Sequence, residues 1–137
     1  MLFRSKFIHE YLPENYNKIT GIGISGFKKK NLNDIYRFFP NLSRITIDSN
    51  SNIQSLEGLE KFTNLKELNI KNCPKLMEMN AISLVNNLEV VNLSEFTNKT
   101  KVLMFLKNSP ISELYISGFI EDLNEISNFH EIGRAHV

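Results

Sequence analysis

The stretch Leu65-Lys66-Glu67-Leu68-Asn69-Ile70-Lys71-Asn72-Cys73-Pro74-Lys75-Leu76 decides the fold of this chain. Its apolar residues stand at the first, fourth and sixth places, which are Leu65, Leu68 and Ile70. The fourth and sixth places have the two-residue period of a β-strand with one buried face, and the polar residues between them suit a solvent-facing side. The stretch therefore predicts a short strand that buries one face.

The same pattern recurs along the chain without a gap. The five segments begin at residues 19, 42, 65, 88 and 111, so each begins 23 residues after the one before. A single segment of this kind cannot bury its own apolar edge, whereas stacked segments form continuous apolar rows. The period predicts parallel strands that lie side by side, with Ile22, Ile45, Leu68, Val91 and Leu114 adjacent in one buried row.

This pattern resembles the leucine-rich repeat signature L-x-x-L-x-L-x-x-N/C, which residues 42–50 and 65–73 match in full. The resemblance implies an α/β fold: a leucine-rich-repeat solenoid with a concave parallel β-sheet and short helices or turns on the convex side. It also implies that the ninth-place Asn or Cys turns inward and hydrogen-bonds the backbone. Only two of the five segments keep such a residue, because the ninth place reads Phe27, Asn50, Cys73, Phe96 and Phe119. We expect the phenylalanines to fill volume there instead.

The second half of each repeat is expected to carry the chain back along the convex side. Residues 33–39, 56–62 and 101–106 have helix-like apolar spacing, which predicts short helices or single turns. Asn41, Asn64 and Asn87 each stand one residue before a repeat start, where their residue type suits a turn.

The two ends depart from the repeat, so we divide the chain into residues 1–18, residues 19–130 with five repeats, and residues 131–137. Phe3, Phe7, Ile8, Tyr11 and Leu12 share one helical face, which favours an amphipathic helix that caps the first repeat. The alternative is the helical half of a preceding repeat, in which case Met1 is not the true start.

Residues 131–137 resemble the translation of a common sequencing adapter, so we interpret them as a non-native tail. The register agrees with this interpretation, because a sixth repeat should begin at residue 134 with an apolar residue and the sequence has Arg134. We therefore expect that this sequence is a fragment, that the natural protein continues, and that the chain as written is marginally stable or prone to aggregate.

The composition excludes several classes of function. Sixteen basic and fifteen acidic residues give a net charge of +1, which argues against general binding to nucleic acid or to an anionic membrane. No apolar run has the length of a membrane span, and the first residues do not form a convincing signal peptide. Cys73 is the single cysteine and cannot form an internal disulfide. A cytoplasmic protein is the expectation.

The third, fifth and seventh places of each predicted strand point away from the core and form the predicted binding face. We expect a protein partner there, with Arg44, Lys71 and Tyr115 as the best anchors because Arg and Tyr are common in interface hot spots. The alternative is that these residues are polar only because water covers them. The candidate partner-binding residues are Arg44, Thr46, Asp48, Glu67, Asn69, Lys71, Asn92, Glu113 and Tyr115.

The sequence also allows less favoured functions. The run Lys28–Lys30 is the only dense basic cluster and suits a weak polyanion or nucleic-acid binder, although such runs are more often solvated loops. His9, His130 and His136 have no Cys or carboxylate at metal-ligand spacing, so we expect no enzyme activity, no metal and no cofactor. By analogy with other leucine-rich repeats, the chain suits the recognition region of a larger protein such as a ubiquitin-ligase adaptor, an immune sensor or an effector. A further possibility is an appendage to an enzyme whose catalytic domain lies elsewhere.

Overall fold

A computed structural model of the 137-residue chain describes residues 2–3, 16–50, 52–95, 99–106, 109–117 and 134–136, with the backbone alone at 2–3, 99–102 and 134–136. Its main feature is one parallel sheet in which the strands lie in chain order. The strands are β1 (Leu2–Phe3), β2 (Gly21–Ser25), β3 (Arg44–Asp48), β4 (Glu67–Lys71), β5 (Val90–Ser94), β6 (Glu113–Ser117) and β7 (Arg134–His136).

The register of strands β2 to β6 places residues 23 positions apart opposite each other. The row Ile22, Ile45, Leu68, Val91 and Leu114 consists of paired neighbours, as the sequence pattern predicts. A slip of one residue would turn every apolar side chain of a strand to the wrong face. The apolar row is therefore the physical reason why the strands share one register.

The core lies behind the sheet and runs continuously along it. All five residues of that row have a relative exposure of 3% or less, and the first-place residues Leu42, Leu65 and Leu88 are fully buried. Each buried aliphatic side chain contributes on the order of 1.5–3 kcal/mol, so stacking the segments yields stabilisation that no single segment has alone.

Short helical segments carry the chain back to the next strand. Helix α1 (Asn33–Phe38) and helix α2 (Lys99–Leu106) lie where the sequence predicts helices. The predicted segment at 56–62 narrows to a 3₁₀ turn, Leu59–Lys61, and a further 3₁₀ turn at Asn80–Leu84 was not predicted. The fold is thus a parallel sheet with a few short helices, consistent with an α/β leucine-rich-repeat architecture.

Each described strand from β2 to β5 is followed by a residue in the left-handed backbone region. These residues occupy the eighth place, with φ +59° at Gly26, +50° at Ser49, +49° at Asn72 and +53° at Glu95. Gly adopts this conformation without steric cost, whereas residues with a Cβ are strained by about 1 kcal/mol or more. The sharp turn after the strand therefore recurs at the eighth place of these four repeats, even where the residue type disfavours it.

The ninth-place residues behave as their chemistry implies. The Asn50 side-chain oxygen accepts hydrogen bonds from the backbone N–H groups of Asn52 (3.1 Å) and Ile53 (3.3 Å). The Cys73 thiol donates to the carbonyl oxygen of Lys71 at 3.3 Å, and Phe27 is buried, as expected of a volume-filling residue. Phe96 and Phe119 lie outside the described residues.

Two of the three asparagines before the repeat starts, Asn41 and Asn87, do more than form turns. The side-chain amide of Asn41 donates to the carbonyl oxygen of Asn17, and that of Asn87 donates to the carbonyl oxygen of Thr63, both at 2.8 Å. Each bond joins one repeat to the segment that precedes it in the stack. These residues therefore satisfy a backbone acceptor between coils, a role that turn propensity alone does not predict.

The ends correct two details of the sequence analysis. Within the predicted cap of residues 1–18, Phe3 lies in strand β1 rather than in a helix and Tyr16–Lys18 form a 3₁₀ turn, whereas residues 1 and 4–15 are outside the described residues. Arg134 lies opposite Glu113, so it occupies a third place and not the first place that a strict 23-residue count assigns to it. The origin of residues 131–137 stays a prediction, although the backbone of 134–136 pairs with β6.

Candidate functional site

The candidate site is the sheet face that points away from the core, which we call the outer face. Strands β2 to β6 place their third, fifth and seventh residues there, and these side chains are half-buried or exposed while their neighbours are buried. All nine predicted partner-binding residues lie on this face. They are Arg44, Thr46 and Asp48 on β3, Glu67, Asn69 and Lys71 on β4, Asn92 on β5, and Glu113 and Tyr115 on β6.

Strands β3 and β4 share a hydrogen-bond network on the outer face. Arg44 donates from Nε to Glu67 Oε2 at 2.6 Å, and Asn69 donates from Nδ2 to Glu67 Oε1 at 2.9 Å. Asn69 also lies 3.3 Å from the hydroxyl oxygen of Thr46. The network satisfies much of the hydrogen-bonding capacity of Glu67 and holds Arg44, so this part of the face is ordered by its own side chains.

The protonation of Glu67 reflects this network. Burial raises the pKa of the Glu67 carboxyl, but the hydrogen bonds from Asn69 and Arg44 and the charge of Arg44 together outweigh that effect, so the pKa lies below its ordinary value of 4.5. Glu67 is therefore a carboxylate at neutral pH and is unsuited to act as a proton donor.

Tyr115 is oriented by a residue of its own strand. Its hydroxyl group donates to Glu113 Oε2 at 2.7 Å, and the side chain is half-buried. A charge-assisted bond of this length holds the phenol group in place. The tyrosine is thus a positioned ring on the outer face and not a freely rotating one.

A shallow depression of about 520 Å³ lies at the carboxyl ends of three adjacent strands, and we call it the β4–β6 depression. Lys71, Asn92 and Tyr115 line it as the sequence analysis predicts for binding residues. Three further polar residues of the lining were not predicted. The full lining is Lys71, Asn92, Ser94, Glu95, Tyr115, Ile116 and Ser117.

The three polar lining residues that were not predicted differ in how far the sequence pattern indicates them. Ser94 and Ser117 occupy the seventh place, so the outward row already contains them, although small hydroxyl residues give no hot-spot signal. Glu95 occupies the eighth place, which the strand pattern does not cover. Only the left-handed turn at Glu95 brings this residue to the rim of the depression.

The basic run Lys28–Lys30 lies in the exposed loop after β2. Lys29 Nζ is 3.1 Å from Asp34 Oδ2, so an acidic side chain already neutralises part of the cluster. Surface ion pairs of this kind contribute little stability, but the carboxylate lowers the local positive potential that a phosphate would meet. The cluster is accessible and only partly available for anion binding.

The chain offers little that could do chemistry in the part that the structure describes. Burial is the largest effect on the Cys73 thiol and raises its pKa; a hydrogen bond with the backbone of Asn50 opposes this, the negative charge of Asp48 adds to it, and a hydrogen bond with the backbone of Lys71 opposes it least. A buried, protonated thiol is a poor nucleophile.

Within the described ranges no group of three His, Cys, Asp or Glu side chains is arranged to hold a metal ion. Among the same residues, no helix has the length and apolarity that crossing a membrane requires.

Comparison with known proteins gives one family match. The family model described as the endo-β-N-acetylglucosaminidase EndoS LRR domain matches residues 27–132, more than three quarters of the chain. No curated protein matches the sequence. The matched range includes strands β3 to β6 and therefore most of the outer face.

Proposed function

This chain belongs to the EndoS leucine-rich-repeat domain family, and we propose on that premise that it is a non-catalytic module that binds a protein partner on its outer face. Leucine-rich repeats generally serve as interaction surfaces. The nine predicted partner-binding residues are proposed contacts, with Arg44, Lys71 and Tyr115 as anchors. We place the module in the cytoplasm because Cys73 is its single cysteine.

The observation that carries the proposal is the regularity of the outer face. Five strands in one register align three outward rows, in which most of the side chains are polar, over one continuous sheet. A binding surface gains affinity when its groups are already ordered, and the Arg44–Glu67–Asn69 network and the Tyr115–Glu113 bond supply that order.

The proposal includes the overall shape and the boundaries of the module. We propose that the coils of residues 19–130 form a solenoid whose outer face is concave, since side-by-side parallel strands backed by bulkier helical segments favour that curvature. Residues 1–18 are the proposed N-terminal cap, and residues 131–137 the proposed non-native tail.

A capture experiment tests the proposed binding face. The full chain is immobilised, captured proteins are identified, and the affinity of each is then measured with purified components. Replacing Arg44, Lys71 and Tyr115 by Ala should weaken binding on the order of 30-fold or more, as expected for loss of hot-spot residues. The circular-dichroism spectrum should stay unchanged.

The matched control replaces Lys28, Lys29 and Lys30 by Ala, which also changes three exposed residues but leaves the outer face intact. If the control weakens binding and the outer-face variant does not, the partner contacts the loop after β2. A steep salt dependence of that binding would then favour the polyanion alternative, because phosphate contacts weaken as salt rises.

The family description supports a second candidate function. It assigns the domain to an endo-β-N-acetylglucosaminidase, so we propose as the alternative that this chain is the recognition region of a larger enzyme. Recovering the complete reading frame from the source transcript tests this directly. A glycosidase domain in the same frame would support it, whereas a complete frame without a catalytic domain would refute it.

A further inference from the structure

We infer that the β4–β6 depression is a binding site for a neutral, hydroxyl-rich ligand, namely an oligosaccharide chain. The inference shares the outer face with the proposed protein-binding function but does not require that function, because it concerns the chemistry of one depression. Its volume of about 520 Å³ lies within the range of ligand sites, which is roughly 300–1,000 Å³.

The residue types of the lining favour a polar ligand over an apolar one. Sites for drug-like or lipid ligands are lined mainly by hydrophobic and aromatic side chains with a few polar groups. In the β4–β6 depression, five of the seven lining residues carry an amide, hydroxyl, ammonium or carboxylate group, and Tyr115 adds a phenol. Ile116 is buried on the inner side of β6 and offers little apolar surface.

The charges exclude a strongly anionic ligand. Lys71 is the one cationic residue of the lining, and Glu95 lines the same depression. Asp48 lies directly opposite Lys71 on the neighbouring strand. An anion that approached Lys71 would therefore meet two carboxylates, so the local field does not favour phosphate, sulfate or an acidic peptide.

The remaining polar groups match the hydroxyl groups of a sugar. Asn92 and Ser94 each provide both a donor and an acceptor, Lys71 only donates, and Glu95 only accepts. A sugar ring presents several hydroxyl groups that donate and accept at once, so it can pair with such a mixed set without leaving a buried group unsatisfied. Tyr115, held by Glu113, adds an amphipathic ring against which a sugar can pack.

A polypeptide is the less favoured occupant. Peptide and protein partners usually gain most of their affinity from aromatic or aliphatic anchors that fill apolar pockets. Ile116 is the one aliphatic residue among the lining residues and is buried, so the β4–β6 depression presents no aliphatic pocket for such an anchor. The backbone of β5 also donates and accepts within the sheet, between paired neighbours on both sides, so the site cannot extend the sheet by an added strand.

The test is a titration of the ¹⁵N-labelled full chain, followed by two-dimensional NMR, with three neutral trisaccharides: chitotriose, cellotriose and mannotriose. We expect at least one to shift the backbone amide signals of Ser94, Glu95 and Ser117, with a Kd of about 1 mM, typical of a small ligand held by a few hydrogen bonds. A response to chitotriose alone would indicate N-acetylglucosamine chains, and a response to cellotriose alone would indicate structural glucans.

Two variants and one matched control make the test specific. Asn92→Ala and Ser94→Ala should each weaken binding by about fivefold, the effect of one lost hydrogen bond. Ser25→Ala is the control, because Ser25 occupies the same seventh place on β2 but does not line the depression, and its affinity should equal that of the original chain. Circular dichroism of all three checks that they fold.

Three outcomes would overturn the inference. The first is that none of the trisaccharides shifts these amides in the folded chain. The second is an equal loss of affinity in Ser25→Ala and Ser94→Ala. The third is selective binding of a heparin-derived tetrasaccharide or of a neutral Gly-Ser-Asn peptide at the same amides, which would assign the site to an anion or a polypeptide. None of these results bears on protein capture, which the Arg44, Lys71 and Tyr115 variant tests separately.

Discussion

Gly58→Ala adds a single carbon atom and should nevertheless destabilise the fold strongly. Gly58 has φ +97° and precedes the 3₁₀ turn at Leu59–Lys61. A Cβ atom at this position would lie 2.7 Å from the backbone nitrogen of Asn33 and 2.9 Å from the carbonyl carbon of Leu32. Both contacts are with backbone, which cannot rotate away as a flexible side chain can.

The magnitude follows from two contributions. The left-handed conformation costs a residue with a Cβ about 1–2 kcal/mol. Forcing a buried segment to move adds about 1–3 kcal/mol, since Leu32 is fully buried and its N–H donates to the carbonyl oxygen of Glu57 at 2.9 Å. We therefore expect Gly58→Ala to lower the free energy of unfolding by about 3 kcal/mol.

Gly26→Ala is the matched control for this prediction. Gly26 also has a positive φ, +59°, but a Cβ atom there would meet nothing within 4 Å. Its substitution should cost only the conformational strain, about 1 kcal/mol. Urea unfolding followed by circular dichroism measures both values with an uncertainty small enough to separate them. Equal losses for the two variants would show that the contact between Gly58 and the 32–33 backbone is not tight, and the reasoning would fail.

Three further predictions concern the core, the strand exits and the charge network. Leu68→Asp should unfold the array, because an unpaired charge at a fully buried site costs about 4 kcal/mol or more, and a lost far-ultraviolet spectrum would show it. Glu95→Gly should stabilise the chain by up to about 1 kcal/mol in urea unfolding, and Asn72→Gly should gain less, because Asn tolerates the left-handed region better than Glu. Because the pKa of Glu67 in the folded chain is below 4.5, its contribution to stability should be present above pH 4.5 and be lost as the pH falls through the folded pKa. Glu67→Gln should remove this part of the acid dependence of unfolding. An unchanged pH profile of unfolding in that variant would contradict the prediction.

The inner half of the fold could be predicted from the sequence because burial restricts the residue types there. An aliphatic residue at the fourth place, such as Leu68 or Val91, indicates a strand and also determines the register of that strand. A polar residue in that row would leave an unsatisfied group in the core. The return segments were less predictable. Residues 56–62 and Asn80–Leu84 form short turns whose boundaries depend on packing and on backbone bonds such as Leu56 N–H to Glu78 O, which periodicity does not encode.

The outer face could be predicted as a surface but not as a site. The alternation of strand residues places Arg44, Lys71 and Tyr115 on it with certainty, yet nothing in the spacing distinguishes Arg44, which is engaged with Glu67, from Lys71, which borders a depression. Glu95 was missed for a different physical reason. Its position depends on the left-handed backbone conformation at Glu95, which Gly adopts readily and Glu adopts rarely. Because Glu is not typical of that conformation, the sequence does not predict the turn there.

The contrast between Arg44 and Lys71 has a consequence for how partners should be sought. A charged side chain that already has a partner on its own surface gives up part of that interaction when it binds another molecule, and this loss offsets part of the affinity gained from its being ordered. The Arg44–Glu67 pair at 2.6 Å is in this situation, whereas the amide of Asn92 and the hydroxyl of Ser94 border the β4–β6 depression. Arg44 does not line that depression, so single substitutions at Asn92 or Ser94 should reduce oligosaccharide binding more than Arg44→Ala does, and an equal loss in Arg44→Ala would contradict this.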